Sequence, residues 1–172
     1  AELRKSDGVD PKLTKEELAN LRKEEKLLRK DMLRAALNHG NISKEKAEKM
    51  HRLGRNLFQQ QRYSSIYQLA WDILDIHAKI DGTLTREYVQ AMTNVASTAW
   101  KIKERHAAQI ITKRQIGIWQ ELGEPEEGKD IMMARARLMS YQDKAQVKEG
   151  LTHEQYVEMI APYELSSPTD TS

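Results

Sequence analysis

Gly40-Asn41-Ile42-Ser43-Lys44-Glu45 and Gly82-Thr83-Leu84-Thr85-Arg86-Glu87 are two copies of one short pattern, an aliphatic residue and a hydroxyl residue followed by a basic and an acidic one. Pro11-Lys12-Leu13-Thr14-Lys15-Glu16 and Gly150-Leu151-Thr152-His153-Glu154 are variants of it. The pattern is that of a helix start. Thr14, Ser43, Thr85 and Thr152 stand where a side-chain oxygen can accept from a first-turn backbone N–H that has no partner inside the helix. The aliphatic residue before each of them is followed, one helical turn and a half later, by Leu18, Ala47, Val89 or Tyr156, which is the spacing of a hydrophobic staple. The carboxylate in each first turn suits the positive end of the helix dipole. The copies are unequally spaced, so they are not the period of a solenoid.

Working outward from these starts, apolar residues recur at helical spacing. A first helix runs from about Lys15 to Leu37 with Leu18, Leu21, Leu28 and Met32 on one face, and a second from Lys44 to about Gln61 with Ala47, Met50, Leu53, Leu57 and Phe58. A third begins near Ser64 or Ser65, carries Ile66, Leu69, Ala70, Ile73, Ile76 and Ile80, and ends at Asp81-Gly82. After Thr85 the spacing of Tyr88, Met92, Val95, Ala99 and Ile102 predicts a long helix, with no breaker before Gly117, that reaches Leu122 with a bend near 105–117. Gly123-Glu124-Pro125-Glu126-Glu127-Gly128 is a break. Two further helices are expected over 129–148 and from His153 to about Ile160. No segment alternates with period two. The expected fold is all-α: an antiparallel bundle of about four helices over 14–122 and a C-terminal helical arm over 123–164, between disordered segments 1–13 and 165–172.

Charged residues make up 31% of the chain and hydrophobic residues 39%, a balance that suits amphipathic helices around a modest core. The net charge of +2 is too small to imply nucleic acid by itself. With no cysteine, thiolate chemistry, disulfides and thiolate metal sites are excluded. No apolar run approaches the ~18 residues of a membrane span, and residues 1–10 lack the apolar centre of a signal peptide. A soluble chain of the cytoplasm or nucleus is expected.

Three constellations bear on chemistry. The stretch from His77 to Tyr88 has the outline of a calcium loop if Gly82 is its central glycine. Its ligand positions would then include Lys79 and a terminal Tyr88, where a hard cation needs carboxylates. Glu48 and His51 match the i, i+3 ligand pair of di-iron bundles, but no second pair accompanies them. His39, His77, His106 and His153 are scattered, and no glycine-rich phosphate loop is present. The reading is therefore of a chain with no catalytic residue, no metal and no cofactor.

Two surfaces suggest binding instead. Lys46, Lys49, Arg52 and Arg55 on the second helix, with Lys101, Lys103, Arg105, Lys113 and Arg114 on the fourth, are candidate phosphate contacts. Trp100, Ile111, Ile118 and Trp119, with Met132, Met133, Leu138 and Met139 on the fifth helix, are candidate protein contacts, being apolar residues of types favoured at interfaces. A fifth helix folded back over the fourth is the alternative explanation of the same residues.

Leu33-x3-Leu37-x2-Gly40-x-Ile42-Ser43, followed by Met50, Leu53, Leu57 and Tyr63, resembles the helical domain at the C-terminus of the outer-coat protein of secretory-vesicle coats. It is also similar to the steroid receptor RNA activator protein, whose fold is shared with a pre-mRNA splicing factor. The resemblance covers about residues 28–103, with Thr85 to Ile102 as the closing helix. It lacks the Trp-x-x-Gly closing segment of those domains, and the residues that follow have no counterpart in them. It implies a helical bundle used in assemblies. The functional expectation is a non-enzymatic interaction or scaffold module with a protein partner, docking through the fourth and fifth helices. The alternative is an RNA- or DNA-binding domain using the basic residues above.

Overall fold

The computed structural model describes residues 12–144. Among these the chain is all-α, without a strand, and forms six helices: α1 (Lys15–His39), α2 (Lys44–Gln59), α3 (Tyr63–Asp81), α4 (Arg86–Lys101), α5 (Arg105–Glu121) and α6 (Lys129–Lys144). The helix expected over 153–160 lies outside the described residues. Three of the four expected caps are made: Thr14 accepts from the Glu17 N–H at 3.1 Å, Ser43 from Lys46 at 3.2 Å and Thr85 from Tyr88 at 3.1 Å. Thr152, the fourth, is outside the described residues.

The expected long helix from 85 to 122 is two helices. Lys103 takes a left-handed conformation, φ 69°, and the chain turns there. The Lys103 N–H donates to the Trp100 carbonyl at 3.1 Å and the Glu104 N–H to the Ala99 carbonyl at 2.8 Å. These crossed bonds satisfy carbonyls that the ending helix leaves open, the closure known as the Schellman motif. The same pair of bonds ends α2, with Gln61 at φ 54°, and α5, with Gly123 at φ 82°. Only the last uses glycine, the residue that adopts this backbone without strain. α5 runs through Gly117 to Glu121, one residue short of the expected end at Leu122.

The described residues divide into two compact units, 12–76 and 77–144, with the division inside α3. In the first unit α1 and α2 pack as a hairpin across the short connection 40–43. Leu53, Leu57 and Ile66 are buried together, with Leu28, Met32, Tyr63 and Leu69 packed against them. Burying these faces is what holds a bundle of short helices, since propensity alone leaves such helices marginal in water. A polar cluster crosses the same unit. Buried Asn56 donates to the Leu21 carbonyl at 2.9 Å, and Gln60 donates to Asn56 at 2.6 Å and to Glu25 at 3.1 Å. Glu25 also accepts from Arg29 at 2.9 Å and Arg62 at 2.8 Å.

Burial alone would raise the Glu25 pKa, but the Gln60 hydrogen bond and the Arg29 and Arg62 guanidinium groups outweigh it and bring it below the ordinary 4.5. A carboxylate whose folded pKa is depressed adds stability above its unfolded value and loses it as pH falls through the folded one. Acid titration of the wild-type chain, followed by thermal melting, is therefore expected to show stability falling below about pH 4.5. Glu25→Gln should flatten that part of the profile while lowering stability at neutral pH. An unchanged acid limb in the variant would remove Glu25 from this role.

In the second unit α4, α5 and α6 pack as two successive antiparallel hairpins with α5 in the middle. Val89, Val95, Ala96 and Ala99 of α4, Ala107, Ile111, Ile118 and Trp119 of α5, and Ile131 and Ala134 of α6 are all buried. The segment expected to be an arm from residue 123 thus begins with a helix packed on α5. Arg86 ties the start of α4 to the α5–α6 turn, with its guanidinium 3.2 Å from Glu124, 3.1 Å from Asp130 and 4.8 Å above the Trp119 ring.

Candidate functional site

In the first unit α1 and α3 stand apart over α2 and leave an open groove of about 500 Å³. Its floor is apolar, made by Met32 of α1, Met50, Leu53 and Leu57 of α2, and Leu69 of α3. Helix periodicity aims all of these inward: Met50 is 3% and Leu53 and Leu57 are 1% exposed, so the apolar surface open in the groove is that of half-buried Met32 and Leu69. The walls carry opposite charges. Arg29 and Lys46 line the α1–α2 side, where Lys46 donates to Asn41 at 3.4 Å. Asp72 and Asp75 line the α3 side, where Gln68 donates to Asp72 at 3.4 Å. Burial is the largest influence on Asp72 and raises its pKa; Asp75 adds to this, and the opposing pull of Gln68 and Lys46 does not cancel it. Ile42, at the mouth, is 44% exposed, and on α1 Leu33 is 62% and Leu37 87% exposed. The groove holds no histidine and no nucleophile beside a base, so what it offers is apolar area between two charged edges.

The predicted phosphate contacts stand on both units. Lys46, Lys49, Arg52 and Arg55 do not make one stripe. Residues three apart step about 60° around a helix, so this series sweeps about half a turn of α2. Lys46 faces the groove, Arg52 is paired with Glu48 at 2.9 Å, and Arg55 is exposed. In the second unit Lys101 and Lys103 are exposed at the α4–α5 corner, with Arg105 half-buried beside them. Lys113 and Arg114 lie about two turns further along α5, Arg114 being 4.0 Å from Glu121.

The predicted protein contacts divide as well. Ile111 and Ile118 are 1% exposed and Trp119 is 2%, so these three are core, not surface. The reason is the packing of α4 and α6 on both sides of α5. Trp100 is half-buried and stacks on Tyr141 of α6, ring centroids 4.6 Å apart. Leu138 is half-buried, whereas Met132, Met133 and Met139 are 56%, 51% and 64% exposed. Met132, Ala136 and Met139 recur at i, i+4 and i+7 on the outward face of α6.

The two weighed metal outlines fare differently. Tyr88, the last position of the calcium-like loop, is 3% exposed and part of the core. Glu48 is held by Arg52. Among the described residues no group of three His, Asp or Glu is placed to hold a metal ion, and no helix is long and apolar enough to cross a membrane.

The groove itself was missed in the sequence, where Met32, Met50 and Leu69 read simply as core. The signal available was the pair Asp72 and Asp75 on the edge of an otherwise apolar helix. No family model and no characterised protein matches this sequence.

Proposed function

We propose that the chain is a non-enzymatic interaction module whose first unit receives an amphipathic helix of a partner protein in the groove between α1 and α3. The observation that supports this reading is an apolar floor held open between a basic wall and an acidic wall. Helix-in-groove recognition needs an apolar trough for anchors at i, i+3 or i+4 and i+7, with edges that choose the flanks of the helix. Here the edges call for a helix with basic residues toward Asp72 and Asp75 and acidic residues toward Arg29 and Lys46. A cation brought to Asp72 would relieve a carboxylate that burial and Asp75 disfavour. The resemblance over residues 28–103 to helical domains of coat and coactivator assemblies points the same way.

The test uses designed helical peptides of about five turns with leucine anchors. One has a lysine flank and a glutamate flank, one has all-lysine flanks, one all-glutamate, and one a scrambled anchor order. Fluorescence anisotropy is expected to rank the two-signed peptide first. Gln68→Trp, which fills the groove from an exposed position, should weaken it by about tenfold or more, worth ~1.4 kcal/mol. Asp72→Lys should move the preference toward the all-glutamate peptide. Equal binding of all four peptides, or indifference to both substitutions, would overturn the reading.

A further inference from the structure

Two faces of α1 carry apolar side chains, and the bundle covers one of them. Leu28 and Met32 pack on the core of the first unit, and Ala35 is buried. On the nearly opposite face Lys23, Lys26, Lys30, Leu33 and Leu37 follow at alternating steps of three and four, which keeps them in one stripe down the helix. Leu27 and Arg34, seven apart, run beside it. All of these are exposed, and Leu27, Leu33 and Leu37 stand at 56%, 62% and 87%. A lone exposed leucine is ordinary, but three on one side of three helical turns make a patch.

The charges among these leucines have one sign. Lys23, Lys26 and Lys30 make no ion pair among the described residues, and Arg34, which reaches Asp31 at 3.8 Å, keeps its side chain 73% exposed. At about 100° per residue, the carboxylates of α1 beyond its first turn, Glu24, Glu25 and Asp31, lie about 120° or more around the helix from the centre of the stripe. The outer side of α2 differs, because there Glu48 answers Arg52 at 2.9 Å. The stripe is also a ridge and not a trough: the groove of the first unit meets α1 on another side, at Arg29 and Met32. A protein seated over the ridge would bury Lys26 and Lys30 among the leucines and would owe each a carboxylate. At a bilayer the lysine stems can lie along the apolar boundary while their ammonium groups stay among the headgroups.

We infer that this face of α1 seats the chain on an anionic lipid bilayer, with Leu33 and Leu37 entering the acyl boundary and Lys23, Lys26, Lys30 and Arg34 among the charged headgroups. A helix with cations and leucines on its outer side lies in the plane of the interface and does not cross it. From Lys23 to Leu37 the stripe is about 21 Å long, enough to meet several headgroups at once. Each cation close to a negative leaflet adds to the attraction, which fades within a Debye length. The face is separate from the groove, and either assignment can fail without the other.

The test is co-sedimentation of the full chain with phosphatidylcholine vesicles carrying about 30% phosphatidylserine, beside vesicles of phosphatidylcholine alone. Binding is expected with the anionic vesicles and not with the neutral ones, and it should fall as salt rises from about 50 to about 200 mM. Lys26→Gln and Lys30→Gln should each weaken it about fivefold, and Leu33→Ser with Leu37→Ser about tenfold or more. The thermal melt should stay unchanged in all of them, because every one of these side chains is exposed. The chain has no cysteine, so a Leu37→Cys variant carrying an environment-sensitive dye reports that position alone, and its emission should shift to the blue on the anionic vesicles. Absence of binding to the anionic vesicles at the lower salt, equal binding to the neutral ones, or sedimentation without a dye shift would overturn the inference. So would leucine variants that bind as the wild type does, which would leave only a diffuse attraction of charge. If the dye answers the all-glutamate peptide and not the vesicles, the face takes an acidic helix and the inference fails. Gln68→Trp should leave vesicle binding unchanged; its loss there would move the membrane contact to the groove and overturn the assignment to α1.

Discussion

Trp119→Ala should remove about 3–5 kcal/mol from the second unit, the largest loss expected of any single truncation in it. Trp119 is 2% exposed and is the largest of the fully buried side chains. It sits on α5, the helix with neighbours on two sides, so the hole left by the indole cannot be filled by one helix moving inward without parting from the other. The ring also carries the Arg86 guanidinium 4.8 Å above it, and Arg86 in turn joins Glu124 and Asp130. Urea unfolding followed by circular dichroism measures the loss. Arg86→Ala separates the cation's share, which for a guanidinium as exposed as this one is about 0.5–1 kcal/mol. Trp119→Phe should fall between the two. A Trp119→Ala loss below about 1 kcal/mol would mean that the unit repacks around the hole, against the close packing that burial of α4, α5 and α6 implies.

Where helices begin was legible because the start is a local code. Thr14, Ser43 and Thr85 cap through their own side chains, and an alanine in their place would have been silent. Where helices end was less so. The turns after α2 and α4 place Gln61 and Lys103 in the left-handed region, a conformation that asks for glycine or asparagine, so neither residue advertises it. Gly117 ends nothing: open space surrounds its Cα, and the helix runs through it toward the expected end at Leu122. Burial followed the same logic. A helix with one neighbour shows one apolar stripe, whereas α5 buries Ala107, Ile111, Ile118 and Trp119 between two neighbours, and the surplus reads as a surface waiting for a partner. Met132, Met133 and Met139 on α6 are the residues of that set which do face outward. The groove was illegible because spacing tells which face of α1 and α3 turns inward, not how far apart the two helices stand.

Gln115→Leu is the second large effect, about 2–3 kcal/mol, and it comes from one amide. Gln115 is 1% exposed; its amide nitrogen donates to the Val89 carbonyl at 2.8 Å and to Thr93 at 2.7 Å, and its oxygen accepts from Arg137 at 2.8 Å. Leucine keeps the bulk and removes all three bonds. The half-buried Thr93 oxygen can accept from water instead, but Arg137 loses the acceptor that Gln115 gives it, while burial already lowers its pKa. An uncompensated, half-buried charge should therefore dominate the cost, and this separates two explanations. If it does, Arg137→Met added to Gln115→Leu recovers most of the stability, because both ends of the polar pair are then gone. If the cost lies instead in the α4–α5 contact through Val89 and Thr93, the double variant stays as unstable as Gln115→Leu alone. Thermal melts of the two singles and the double close the cycle, and a coupling of about 1–2 kcal/mol is expected. Arg137→Met by itself should change stability by less than about 1 kcal/mol, because the desolvation it relieves offsets the one hydrogen bond it gives up.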